Sequence, residues 1–123
     1  MSAERPQDLR ELEVRYDASE GREVFLSFES LEPPVIIGYC RLRLDENATV
    51  RELKVFGESI PIATTKDEAW QHKGVGKRLM ERAEQLCQVE GFPSLRVLSG
   101  VGVRAYYQGL GYRLEGHYMV KDL

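Results

Sequence analysis

One change of rhythm constrains this chain more than any other feature. Apolar residues recur at every second position up to about residue 56, and at every third or fourth position from residue 75 to about residue 90. A period of two belongs to a half-buried strand, and a period near 3.6 to an amphipathic helix. In the first part Leu12, Val14 and Tyr16 fall in alternation, then Val24, Leu26 and Phe28 in "REVFLSFES", with the turn formers of "DASEGR" between them. After the chain-breaking "EPP" comes "VIIGYCRLRL", with Cys40, Leu42 and Leu44 on one face and Arg41 and Arg43 on the other. "DENA" supplies a turn, and "TVRELKVFG" a fourth strand with Leu53 and Val55 in phase. Four strands joined by short turns predict an antiparallel meander.

Residues 57–70 form a connection long enough to suggest a functional loop. The helical pattern then places Val75, Leu79, Ala83, Leu86 and Cys87 on one face, with Lys77, Arg78, Glu81, Arg82, Glu84 and Gln88 opposite. Gly91 and Pro93 stop this helix near Glu90. "SLRVLS" reads as a fifth strand, "GVGVRAYYQGLG" as a short glycine-bounded helix and "YRLEGHYMVKDL" as a final strand. The order predicts one mixed α/β domain over residues 11–123, preceded by a flexible lead-in over residues 1–10 and without internal repeats.

Composition sets the outer limits. With 123 residues, 42% hydrophobic and 30% charged, the chain is long enough and apolar enough for a genuine core. A net charge of −3 with both signs interleaved argues against strong nucleic-acid binding by this chain alone, which needs a basic footprint. No run approaches membrane-spanning length, and the first residues lack the apolar core of a leader. Cys40 and Cys87 are isolated and read as reduced, buried hydrophobes of a cytoplasmic protein; no metal-ligand spacing is visible.

The helix opens unusually. "QHKGVGK" puts Gly74 and Gly76, together with Lys73, Lys77 and Arg78, at its positive end, where glycine weakens a helix and cations oppose its dipole. A bound anion reverses the second cost, because first-turn N–H groups are free to wrap it and glycine lets it come close. Two nucleotide motifs are excluded. A Walker A loop fails because Gln71 stands at its first glycine and Arg78 at its Ser/Thr. A dinucleotide fingerprint fails because Leu79 stands at its third glycine and the loop follows four strands. A tight turn into a solvated surface helix remains the plain alternative.

Gln71-x-x-Gly74-x-Gly76 resembles the acyl-CoA pyrophosphate loop of the GNAT acetyltransferases. The wider set "YDASEGREVFLSFES", "RELKVFG", "QHKGVGKRLMERAEQL" and "SGVGVRAYYQGLGYRLEGHYMVKDL" resembles the acetyltransferase domain of the Elongator catalytic-subunit family, whose members modify the wobble uridine of tRNA at C5. The resemblance runs from about Arg5 to the end. That family's radical-SAM domain, with its cysteine triplet, has no counterpart in these residues, so tRNA is expected as a substrate only with such a domain or partner. The resemblance implies a GNAT fold, a mostly antiparallel sheet splayed around an acetyl-CoA cleft. It places the backbone of Glu52, Leu53, Lys54 and Val55 against the pantetheine and the amides of Gly74, Val75, Gly76 and Lys77 against the pyrophosphate. The lysine and arginine side chains are left for outer phosphates.

The same resemblance places Tyr106 and Tyr107 at the acetyl thioester. Helical spacing puts Val103, Tyr107 and Leu110 on one face and Tyr106 about a quarter-turn away. Tyr107 is therefore assigned to the cofactor sulfur, and Tyr106 to the substrate side or to packing. A phenol is protonated at neutral pH and can donate to a departing thiolate. No general base stands out. His72 lies in the loop and His117 on the last strand, and Glu52 is a strand carboxylate. Two other functions stay open, a stand-alone N-acetyltransferase for protein lysines or small amines and a non-catalytic acetyl-CoA-binding module.

Overall fold

The computed structural model describes residues 9–31, 34–56 and 74–123. Its centre is a seven-stranded sheet in the order β1-β2-β3-β4-β5-β7-β6. Strands β1 (Leu9–Ala18), β2 (Gly21–Leu31), β3 (Pro34–Leu44) and β4 (Ala48–Val55) form the expected antiparallel meander. Helix α1 (Val75–Glu90) follows, then β5 (Ser94–Leu98), which joins the sheet parallel to β4. A 3-10 turn (Val101–Val103) leads into the short α2 (Arg104–Gly109). The first strand begins at Leu9, two residues ahead of the expected domain boundary, and residues 1–8 lie outside the described residues.

Helix α1 ends as its sequence indicates. Gly91 takes a left-handed conformation (φ 93°) and its N–H reaches the Gln88 carbonyl, while the Phe92 N–H reaches that of Cys87. The apolar stripe of α1 packs on β2, β3 and β4. Leu79, Met80, Ala83 and Cys87 of the helix meet Leu26, Phe28, Cys40 and Leu42 of the sheet, all essentially without solvent contact. Burial at this scale is the main stabilising contribution of a domain this size.

The structure departs from the sequence reading in two places. The final apolar run is two strands, β6 (Arg113–Glu115) and β7 (Tyr118–Asp122), turning at Gly116 and His117. β7 is inserted between β5 and β6. In β1 the alternation is present but the apolar face is not covered: Val14 and Tyr16 are 54% and 46% exposed. The opposite, charged face of β1 meets the polar side of α1. Glu11 pairs with Arg82 (3.2 Å), Glu13 with Arg82 (3.1 Å), and Arg15 and Arg22 both with Glu90 (3.0 and 2.9 Å). An edge strand lies beyond the reach of the helix's apolar stripe, so charge pairing replaces burial there.

One irregularity positions the site. The β3–β4 register passes from Leu42↔Val50 to Arg41↔Glu52, leaving Arg51 as an extra residue in β4. A bulge of one residue inverts the side-chain alternation beyond it. Ala48 and Val50 before the bulge, and Leu53 and Val55 after it, therefore all face α1, opposite Leu44, Leu42, Cys40 and Gly38.

Candidate functional site

β4 and β5 pair over only two positions, Thr49↔Arg96 and Val50↔Val97. Beyond them β4 runs on to Val55 without β5 beside it, so the sheet opens into a V. The half-buried Leu53 and Val55 floor a cavity of about 260 Å³ whose other walls are Val103, Tyr106 and Tyr107. The backbone of Glu52 to Val55 borders the open side, an arrangement that lets an extended ligand add as a missing strand.

Helix α1 starts at the mouth of this V. Gly74, its N-cap, is left-handed (φ 84°), no side chain among the described residues caps the helix, and its first turn carries no acidic residue. The Arg78 N–H is the first to bond back into the helix, to the Gly74 carbonyl at 2.9 Å. The amides of Val75, Gly76 and Lys77 precede it, at the end where a helix leaves its N–H groups unpaired and its dipole favours an anion. Val75 and Gly76 are buried, whereas Lys77 is exposed and borders a second recess of about 250 Å³ with Met80, Glu84, Leu110 and Lys121. Gln71, His72 and Lys73 lie outside the described residues. Arg78 pairs with Glu11 at 3.6 Å and lies over the Phe28 ring at 4.6 Å.

The two phenols have different surroundings. Tyr107 is 6% exposed, with its ring edge-on to Tyr106 (centroids 5.1 Å apart) and to Tyr112 (5.9 Å). Burial, then the neighbouring Cys40 and Tyr106, push its hydroxyl up to about 12. Tyr106 is 45% exposed, and its hydroxyl reaches across to α1, where a Cβ added at Gly76 would stand 2.6 Å from it. Thus α2 lines the cavity and touches the start of α1 through Tyr106.

Glu52 does not look like a free base. It accepts from Tyr39 and pairs with Arg41 at 3.4 Å, on the sheet face away from α1, and these two partners hold its carboxyl below the usual range. Lys54 lies on that face too, with its ammonium 5.6 Å from the Phe56 ring. Both residues therefore offer the cleft their backbone and not their side chains. His117 is exposed in the β6–β7 turn.

A half-buried network behind Tyr107 has no signature in the sequence. The Tyr112 hydroxyl donates to Glu84 at 2.6 Å. Lys121 donates to the same carboxylate at 3.3 Å and to the Leu110 carbonyl at 3.1 Å. Tyr112 is buried, and burial together with Glu84 holds its hydroxyl far above the ordinary tyrosine range. Residues from α1, the end of α2 and β7 are tied together by this network, which forms only once all three elements are assembled.

The geometry agrees with what comparison with known proteins finds. A family model described as the acetyltransferase (GNAT) family matches residues 2–112. Elongator complex protein 3 of Danio rerio is 40% identical over 131 residues, covering 97% of this chain and 24% of its own length. A tRNA uridine(34) acetyltransferase of Methanocaldococcus jannaschii is 42% identical over 120 residues, covering 88% of this chain and 22% of the relative. Among solved structures, the archaeal Methanocaldococcus infernus Elp3 with an N-terminal deletion superposes with a TM-score of 0.80 at 37% identity, over 96% of this chain and 30% of that one. The chain therefore spans about a quarter of the length of the curated relatives it matches.

Proposed function

The chain belongs to the GNAT acetyltransferase family, and from that premise we propose that it binds acetyl-CoA in the β4–β5 cleft and opens the thioester there. The acetyl group then serves modification of the tRNA wobble uridine at C5, with a radical-SAM domain or partner supplying the rest of the chemistry. The observation that carries this reading is one cavity formed between the edge of β4 that β5 leaves open and the two phenols of α2, with the start of α1 touching it through the Gly76–Tyr106 contact. Relatives named for tRNA uridine(34) acetylation support the choice of acceptor. The free, buried Cys40 and Cys87 support a reducing, cytoplasmic setting.

In this reading the pyrophosphate lies on the amides of Gly74, Val75, Gly76 and Lys77. The pantetheine follows Glu52, Leu53, Lys54 and Val55, which carries the thioester toward Tyr107. When water or the acceptor's nucleophile bonds to the acetyl carbonyl carbon and the C–S bond breaks, the electron pair stays on sulfur. A thiol of ordinary acidity ionises near ~8.5, far below a phenol held at about 12, so Tyr107 keeps its proton. It stabilises the thiolate as a hydrogen-bond donor, and solvent completes the protonation. Tyr106, whose hydroxyl rests against Gly76, braces α2 on the start of α1 and so borders the path of the pantetheine arm.

The test follows thiol release from acetyl-CoA with tRNA alone, with tRNA plus a radical-SAM partner, and with a panel of amines. Release that depends on tRNA and the partner supports the proposal. Strong turnover on simple amines favours a stand-alone N-acetyltransferase, and binding without release under any condition favours a non-catalytic acetyl-CoA module.

A further inference from the structure

Arg104, the first residue of α2, is unlike every other described arginine. Each of the others pairs with a carboxylate, or, in the case of Arg96, donates to Thr49 and lies over the Tyr118 ring. Arg104 is half-buried, and its Nε is buried without a hydrogen-bond partner. Five residues earlier, Ser99 has a buried hydroxyl that is also without a partner. Both belong to the turn that leaves β5 where the sheet opens, which is closed by a Val103 N–H to Gly100 carbonyl bond. Space exists on this turn: a Cβ at Gly100 or Gly102 would meet no atom within 4 Å. The next residue before Arg104, Val103, lines the cavity with Tyr106 and Tyr107.

A buried N–H without an acceptor is costly, and most proteins avoid it. Here Arg104 Nε and Ser99 Oγ are both left unsatisfied on one turn, whose Val103 lines the cavity. A guanidinium fork and a hydroxyl together match the oxygens of a phosphate group. We propose that Arg104, assisted by Ser99, is a phosphate-binding subsite on the α2 side of the cleft, separate from the amides at the start of α1. The proposal rests on reading the cleft as the acetyl-CoA site. The phosphate has two possible sources, the nucleotide end of acetyl-CoA and the acceptor nucleotide.

The Arg104 Nε–Hε resonance reports on this directly. It is followed by NMR during titration with acetyl-CoA, with 3′-dephospho-acetyl-CoA and with uridine 5′-monophosphate, and calorimetry gives the affinity of the wild type and of Arg104→Met for each. A shift with acetyl-CoA, and a roughly tenfold loss of its affinity in Arg104→Met, assigns the phosphate to the cofactor. Loss of that shift with the dephospho form narrows it to the 3′-phosphate. A shift and an affinity loss confined to the mononucleotide assign it to the acceptor. Because the wild-type donor is unpaired, Arg104→Met is expected to melt no lower than the wild type. Should it fail to fold, Ser99→Ala and Arg104→Lys carry the same comparison. The subsite is overturned if no phosphate ligand moves the resonance, or if the substitutions leave all three affinities at wild-type values. If acetyl-CoA itself shows no binding by calorimetry, it is the reading of the cleft that fails.

Discussion

The hydroxyl of Tyr106 rests against the backbone of Gly76, so that a Cβ at position 76 would stand only 2.6 Å from it and 3.5 Å from Val55 Cγ2. Helix α2 therefore reaches the first turn of α1 through a phenol, and only glycine leaves room for the contact. Gly76 lies inside the helix, where alanine alone is favoured by ~1 kcal/mol. Gly76→Ala should consequently fold with unchanged or higher stability while displacing Tyr106. We expect acetyl-CoA affinity to fall about tenfold by calorimetry, and to recover in part in Gly76→Ala/Tyr106→Phe, which lacks the clashing oxygen. Unchanged affinity in the single variant would contradict the placement of the pantetheine arm.

Tyr107→Phe keeps the ring that packs on Tyr112 and removes only the donor. Losing one donor aimed at developing charge is worth on the order of 10²-fold in rate. The rate of thiol release should drop by that order at saturating acetyl-CoA, with little change in the concentration giving half-maximal rate. A variant that keeps full turnover would remove Tyr107 from the chemistry.

Tyr112→Phe leaves Glu84 with Lys121 as its remaining partner. A hydrogen bond to a charged group contributes about 1.5–3 kcal/mol, so urea unfolding should show a loss of that size. Thiol release should slow as well, because the ring behind Tyr107 is no longer anchored to α1. An unfolding midpoint equal to the wild type would show that the Tyr112–Glu84 bond contributes nothing.

Tyr107 also makes an alkaline signature. Its folded hydroxyl ionises near about 12, above the ordinary value of 10. Between these values the unfolded chain has released the proton and the folded chain still holds it, so stability falls as pH rises through that window and is fully present below it. Burial of Tyr112 acts in the same direction. Urea midpoints measured from pH 8 upward should decline more steeply in the wild type than in Tyr107→Phe. Parallel curves would mean that the hydroxyl is not held as described.

The strands and the main helix were legible because their period is local and their turns are marked. The faces of β1 were not. Alternation gives two sides, but only the position of α1 decides that Glu11 and Glu13 are the side that meets it. "YRLEGHYMV" reads as one run because Gly116 is a single break within it, and the β6–β7 hairpin depends on β5 being free to accept β7. Leu53 and Val55 were placed correctly in phase with each other, but the bulge at Arg51, which turns them to the helix side, leaves no mark in the residues. The tyrosine pair stands out through a resemblance of motifs, whereas periodicity alone assigns both rings to packing. Tyr112, Glu84 and Lys121 lie far apart in the chain, so their network belongs to tertiary structure alone.

The central claim is that the start of α1 and the end of β4 hold acetyl-CoA, and calorimetric titration of the wild type and of Gly76→Asp with acetyl-CoA tests it most directly. The aspartate brings both a side chain and a negative charge to the amides that would meet the pyrophosphate, at a helix end that tolerates acidic residues, so the fold should persist. The expected result is saturable one-to-one binding by the wild type and its loss in Gly76→Asp, read at a temperature at which circular dichroism shows both proteins folded, since a carboxylate at this buried position lowers the melting temperature. Absence of binding by the wild type, or equal affinity in the two proteins, would contradict the claim.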